Sequence, residues 1–339
     1  MMEFSKDLAK RFGSDLNLPI PIFEEEFFIY YLELYENEYK SLTKYIELCK
    51  LIKEQFHNSP TEFLDYYYKR RDDIITYVEN SASYSEFNQM DMKKFEIPKK
   101  YNVSTKNIFN QENVGGIFLS IDLKKANFQA LKFVNKEIVR NTDTYEDFIG
   151  TFTNLNYIKE SKYTRQVIFG KLNPKRHITI EKYITFNVLE TYFKMEGCLK
   201  DSQLISLSND EIIFKIANNP LEMSKALLIE TKDIEDFIQQ YTGFVVSANY
   251  FQLGGLQLLT EKDEPRQTMY VKHDFKSGKN TLKCVPVNYH AIVYKLFNGI
   301  KHTSYDDYFN YEGLVCKFTN DFKLNINFGG NGELSNCGF

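Results

Sequence analysis

"GGIFLSIDLKKANFQAL", residues 115–131, decides the fold class of this chain. It begins with a short, continuous apolar run, which is typical of a strand buried on both faces, and continues with apolar residues at helical spacing. Asp122 lies at the junction of the two patterns. The stretch therefore predicts a strand that leads directly into a helix, with a carboxylate where the strand reaches the surface.

A second stretch, "SQLISLSNDEIIFKI" at 202–216, has two alternating apolar runs on either side of "SND". This pattern predicts a β-hairpin with a polar tip, and Asp210 and Glu211 lie at or beside its turn. If the first strand and this hairpin are neighbours in one antiparallel sheet, Asp122 and the hairpin carboxylates come within several ångströms of each other.

The rest of the chain separates into a helical and a mixed part. Residues 22–56 have apolar side chains at three- and four-residue steps, and the next amphipathic run has Ser59 as a plausible N-cap with Pro60 at its first helical position. After residue 218 a helical pattern is followed by strand-like runs and by "FKSGKN", a hairpin turn. These patterns predict an α+β protein.

Composition and charge exclude several classes of protein. The formal net charge is −4, so no global basic field draws the chain onto nucleic acid, and any polyanion site is a local patch. The five cysteines are scattered without paired spacing, which is typical of reduced thiols in an intracellular, cytoplasmic protein. No apolar run approaches the roughly 18 residues of a membrane span, and the first residues lack a secretion signal.

The two acidic sites point to metal chemistry. Carboxylates held close together repel one another, and a cation between them stabilises the pair. Mg²⁺ suits such a site because it binds through one or two carboxylates and leaves positions for substrate phosphates. Two metal ions about 3.5–4 Å apart lower the barrier to phosphoryl transfer. Asp122 on the strand, and Asp210 with Glu211 on the hairpin, are therefore candidate carboxylates for a Mg²⁺ site.

The segment between the acidic sites is basic, and its acids are Glu160 and Glu181. Clustered cations beside a carboxylate site are what a nucleoside triphosphate requires, although a solvated charged face has the same composition. A second basic region around Lys272 is compatible with a contact to a nucleic acid backbone. The cations of the first segment are Lys162, Arg165, Lys171, Lys175, Arg176 and Lys182.

Three stretches resemble, in their order along the chain, motifs A, B and C of the palm domain of nucleic acid polymerases. They are "SIDLKKANFQAL", the basic segment leading into a helix, and "LISLSNDEIIFKI". The likeness is nearest to the DNA polymerase A family and covers about residues 115–216. In that family the motif C tip reads His-Asp-Glu, whereas Asn209 precedes Asp210 and Glu211 here. The family's Arg-x-x-x-Lys helix signature is not reproduced from Arg165.

The resemblance implies a nucleotidyltransferase, or small nucleic acid polymerase of viral or mobile-element type, that extends a nucleic acid primer on a template with nucleoside triphosphates. Asp122 and Asp210 would ligate the metals, and Glu211 would shape the primer end. The cation that binds the triphosphate stays open among Arg165, Lys171, Lys175 and Arg176.

By the same likeness the chain divides into four regions. A helical, thumb-like region would precede the palm-like core with its short, basic, fingers-like insertion, and a mixed α+β region and a flexible tail would follow. The boundaries are 1–110, 111–217, 218–328 and 329–339.

Two other classes of function fit the same sequence. Asp122 read alone is a strand-end residue, and Ser, Asn and Asp are residues that turns prefer. The chain is then a non-catalytic α+β protein that binds nucleic acid or a protein partner, or a structural protein. The separation of the Asp122 and Asp210 carboxylates discriminates these readings from an enzyme.

Overall fold

The computed structural model describes residues 3–101, 108–218, 229–260, 265–329 and 335–338. These residues form helices and a mainly antiparallel sheet, which confirms the predicted α+β class. Within the described residues, no helix is both long and apolar enough to cross a membrane.

The first hundred residues are mainly helical, as predicted. Ser59 caps a helix by accepting a hydrogen bond from the Glu62 N–H, and Pro60 lies in its first turn. The amphipathic run 22–56 does not form one helix, because Lys40 adopts a left-handed backbone conformation that interrupts it. The helices of this region are α1 (Lys6–Asp15), α2 (Glu25–Leu34), α3 (Glu36–Tyr39), α4 (Ser41–Gln55), α5 (Pro60–Glu79) and α6 (Ala82–Gln89).

The centre of the molecule is an antiparallel sheet in the strand order β4-β1-β3-β2. Along the described chain its elements follow a β-α-β-β-α-β sequence, as in ferredoxin-like folds. The strands are β1 (Ile117–Leu123), β2 (Leu204–Leu207), β3 (Glu211–Ala217) and β4 (Val246–Leu259). The helices between them are α7 (Ala126–Val134), α8 (Tyr145–Gly150), α9 (Asn156–Glu160), α10 (Lys162–Lys171), α11 (Pro174–Tyr192) and α12 (Thr231–Thr242).

Strand β4 is long enough to join this sheet to the C-terminal part of the chain. Gly255 pairs with Tyr270 on one edge of β4 and with Asn327 on the other, so two further strands flank its second half. Residues 335–338 pair with one of them, where the sequence predicted a flexible tail. The C-terminal elements are β5 (Pro265–Asp274), β6 (Asn280–Lys283), α13 (His290–Asn298), β7 (Tyr308–Tyr311), β8 (Leu314–Lys317), β9 (Lys323–Asn327) and β10 (Ser335–Gly338).

The two faces of the central sheet have different surroundings. Successive strand residues point to opposite faces. Leu119 and Ile121 belong to the main core, which also contains residues of α7, α11 and α12. Phe118 points the other way, into a smaller cluster with Phe251. Ser120 and Asp122 alternate with the core residues and therefore lie on this second face.

Candidate functional site

The first strand and the predicted hairpin are neighbours, an arrangement that the sequence had left open. β1 pairs with β3 in antiparallel register, and Asp122 lies directly opposite Glu211. Directly opposite residues have Cβ atoms about 4.5–5.5 Å apart. The Leu123 N–H donates to the backbone carbonyl of Asp210 at 2.7 Å, which ties the hairpin turn to the end of β1. The structure therefore brings the two acidic segments together.

The turn that carries Asp210 is fixed from two sides. The Ser208 hydroxyl accepts from the Glu211 N–H at 3.0 Å, and the Ser208 N–H donates to the Glu211 carbonyl at 2.9 Å. From α11, the Thr185 hydroxyl donates to the Asn209 carbonyl at 2.8 Å. Asp210 itself is exposed at the tip. A rigid turn thus presents a solvent-accessible carboxylate.

Glu211 is oriented by β1. The Ser120 hydroxyl donates to its Oε1 at 2.6 Å. Ser120 and Asp122 are two residues apart on one strand, so both lie on the sheet face that Glu211 shares. The side chain of Glu211 is therefore held toward the face that carries Asp122.

The charged form of the Asp122 carboxyl group is disfavoured by its surroundings. Burial, and then the negative charges of Asp210 and Glu211, raise its pKa to about 7, while Lys272 and Lys162 oppose the shift. Since repulsion and desolvation both disfavour the ionised form, a bound cation would relieve both.

A further carboxyl group, Glu181, approaches the same turn from α11. It lies one helical turn before Thr185, on the side of the helix that faces the turn. Burial, and then the charge of Asp210, raise its pKa to about 7. In the sequence, Glu181 is recognisable only as an acid among cations. The four-residue step to Thr185 was present, but nothing in the sequence showed which helix face meets the hairpin.

Lys272 also lies at the site, on β5. Its ammonium is 4.0 Å from the centroid of the Phe251 ring and interacts electrostatically with Glu211 and Asp122. The sequence placed it in a separate basic region, because its proximity to β1 depends on pairing through β4.

The four cations predicted to bind the triphosphate lie on α10 and α11. Arg176 donates to the backbone carbonyl of Met90 and lies over the Phe87 ring, and Arg165 lies 5.8 Å from the centroid of the Tyr145 ring. Lys171 and Lys175 are exposed. Within the described residues, none of the four forms an ion pair with Asp122, Asp210 or Glu211. Their substrate-binding role stays a prediction.

Lys162, at the first position of α10, differs from these four because its charge acts on Asp122. It was part of the predicted basic segment but not of the proposed substrate-binding set. Two cations from distant segments, Lys162 and Lys272, therefore influence the central carboxyl group.

The donor set fits Mg²⁺ in its chemistry. In the described parts of the chain, no group of three or more His, Cys, Asp or Glu side chains forms a ready-made metal site. Mg²⁺ needs only one or two carboxylates when water and substrate phosphates complete its shell. Asp122 and Asp210 supply oxygen ligands of that kind.

Asp122, Asp210 and Glu211 thus lie at one end of the sheet, and the charges of Lys162 and Lys272 act on Asp122. Such an arrangement is suited to binding a divalent cation and a phosphorylated ligand. No protein-family model, no curated protein and no solved structure matches this chain.

Proposed function

We propose that this protein is a nucleotidyltransferase, acting as a small nucleic acid polymerase that adds nucleotides from nucleoside triphosphates. The observation that carries the proposal is the register of β1 and β3, which sets Asp122 opposite Glu211 and beside the turn of Asp210. The raised pKa of Asp122 supports it, because a carboxyl group at this site is stabilised in its charged form by a cation.

In this reaction Asp122 and Asp210 would hold the Mg²⁺ ions, and the bound ions would supply Lewis-acid chemistry for phosphoryl transfer. The oxygen of a primer 3′ hydroxyl forms a bond to the α-phosphorus while its proton passes to water, the bond from the α-phosphorus to the bridging oxygen breaks, and pyrophosphate leaves with that oxygen. Glu211, held by the Ser120 hydroxyl, lies beside the metal ligands and shapes the position of the primer end.

The proposal is tested with Asp122→Asn and Asp210→Asn. Each variant is expected to lower Mg²⁺-dependent nucleotide incorporation by about 1000-fold or more, because several kcal/mol of transition-state stabilisation are lost. The assay supplies DNA and RNA primer–templates with deoxynucleoside and ribonucleoside triphosphates. Asp201→Asn is the matched control, because this exposed aspartate precedes β2 at the opposite end from the hairpin turn.

Folding is checked on the same variants. Asp122→Asn is expected to leave the melting temperature of the metal-free protein unchanged or higher at pH 8, because it removes a repelled, desolvated charge. Wild-type incorporation that persists in either site variant would contradict the assignment. Salt-dependent nucleic acid binding without any incorporation by the wild type would instead favour a non-catalytic binding protein.

A further inference from the structure

Lys272 lies on the same sheet face as the acidic residues. Asp122 pairs with Ser247, and side chains of paired residues share a face. Every second residue of β4 continues that face through Phe251 to Leu253, which pairs with Lys272. A lysine that is far away in sequence is thus brought to the face of Asp122 and Glu211.

The surroundings of Lys272 hold its ammonium in place. The Phe251 ring beneath it is fully buried and stacks on Phe118, with ring centroids 5.3 Å apart. A cation over an aromatic face is attracted by the ring. The lysine stem therefore packs against a rigid platform, and its charge is directed along the sheet toward the carboxylates.

The charge of Lys272 is only partly compensated. Among the described residues it forms no ion pair within 4 Å, although Glu211, Asp122 and Asp274 attract it at longer range and Lys283 repels it. A half-buried charge without a close partner carries a desolvation cost, and an anion that binds beside it offsets that cost. A divalent cation on the carboxylates would also take up the negative charge that Glu211 and Asp122 contribute. When a metal ion neutralises the carboxylates, an anionic ligand is the partner that stabilises the Lys272 ammonium.

We propose that Lys272 is a substrate-binding residue that contacts the phosphate groups of the nucleoside triphosphate. The inference rests on the proposed function, and it assigns the phosphate contact to β5 rather than to the cations of α10 and α11. Lysine is a common phosphate ligand because its ammonium is a compact charge with three donors. The site lies beside the metal-binding carboxylates, where the phosphates of the substrate must lie.

Binding is measured by calorimetry with inorganic tripolyphosphate in the presence of Mg²⁺, so that the identity of the base and sugar does not matter. Lys272→Met keeps the stem that packs on Phe251 and removes the charge, and we expect it to weaken tripolyphosphate binding by about tenfold or more. Lys272→Arg is expected to retain most of the affinity. Lys279→Met is the matched control, because Lys279 lies in the exposed β5–β6 turn and pairs with Glu38.

A measurement on the unsubstituted protein makes the test independent of variant folding. Tripolyphosphate with Mg²⁺ is expected to protect Lys272, but not Lys279, from acetylation by an N-hydroxysuccinimide ester, as read by peptide mass spectrometry. Equal labelling of Lys272 with and without tripolyphosphate would overturn the inference, and so would unchanged affinity in a folded Lys272→Met variant. Lys272 would then be an internal counter-charge only.

Failure of this inference and failure of the proposed function give different results. If Lys272→Met still incorporates nucleotides with an unchanged KM, the polymerase function is retained and Lys272 does not contact the substrate. If tripolyphosphate binding depends on Lys272 but the protein incorporates no nucleotides, the phosphate-binding site is supported and the polymerase function is contradicted.

Discussion

At the scale of single residues, His177 is the clearest case of a side chain whose state is set by its surroundings. Its ring is packed near Phe87 and Phe169, is 3% exposed, and has no hydrogen-bond partner on either nitrogen among the described residues. Burial lowers its pKa to about 4. The imidazole is therefore neutral in the folded protein at every pH near neutrality.

This burial predicts a loss of stability in acid. The unfolded chain takes up a proton at His177 below its ordinary pKa of about 6.5, whereas the folded chain does so only near pH 4. Stability is complete above pH 6.5 and falls as the pH is lowered through this window, by about 2 kcal/mol at pH 5. His177→Leu is expected to remove that part of the loss. Urea unfolding at pH 7.5 and pH 5 measures it, and an identical pH dependence in both proteins would refute it.

The carboxyl groups of Asp122 and Glu181 change the stability with pH in the opposite direction to His177. The pKa values of Asp122 and Glu181 are raised, so the unfolded chain releases these protons at lower pH than the folded chain does. In the metal-free protein their contribution to stability therefore falls as the pH rises from about 4 toward 7. Near neutral pH the charged forms of Asp122 and Glu181 therefore lower the free energy of unfolding of the metal-free protein. Ionisable groups that destabilise the fold in this way are typical of a functional site.

At the scale of elements, the hairpin turn is joined to α11 by a side-chain hydrogen bond. Asp210 owes its position to the Leu123 N–H on one side and to the Thr185 hydroxyl on the other. Thr185 is 2% exposed, so its hydroxyl group has no water to replace this partner. The helix following the basic segment therefore holds the tip of the hairpin at the end of β1.

Thr185→Val tests this coupling. The variant keeps the shape of the side chain but leaves the Asn209 carbonyl without its donor, at a cost of about 1–2 kcal/mol. We expect a matching fall in the urea midpoint, and a fall in nucleotide incorporation from a looser turn. Thr179→Val is the control, because the Thr179 hydroxyl donates to the Lys175 carbonyl of its own helix. Equal effects of the two substitutions would show that the turn gains nothing from α11.

At the scale of the whole molecule, the N-terminal helices and the segment after β1 share one core rather than forming separate bodies. Asp15 of α1 is buried where they meet, with its side chain 1% exposed. It accepts hydrogen bonds from Tyr67 of α5 at 2.7 Å, Tyr157 of α9 at 2.8 Å and Ser161 at 2.9 Å. Arg11 lies 3.3 Å away as its ion-pair partner. The helices that sequence reading assigned to a thumb-like region are thus bonded to the basic segment.

Asp15→Ala is expected to lower the free energy of unfolding by about 3–5 kcal/mol, because it leaves the Arg11 charge and three hydroxyl groups without their shared acceptor. Hydrogen exchange read by mass spectrometry is expected to show α5 and β1 losing protection together. Ser83→Ala is a milder comparison, since its hydroxyl bonds one exposed glutamate, Glu137. Loss of protection confined to α1–α6 would show that these helices unfold independently of the sheet.

Much of the fold was readable from the sequence because its signals are local. The strand before Asp122, the hairpin at 204–217 and the cap formed by Ser59 and Pro60 follow from apolar periodicity and turn chemistry within a few residues. The division of 22–56 into three helices was missed, because the apolar pattern reveals neither the break at Tyr35 nor the left-handed backbone of Lys40. The strand at 335–338 was missed because glycine and asparagine read as irregular, while its pairing partner β9 decides otherwise.

Local patterns along the chain are sufficient to predict a carboxylate at the end of a buried strand and a second acidic pair at a hairpin turn. They do not show which other charged groups face these carboxylates. The folded chain brings Lys272 and Glu181 to the site and bonds Arg176 to the Met90 carbonyl instead. Strand register and helix facing depend on long-range packing of the apolar faces, which no local pattern specifies.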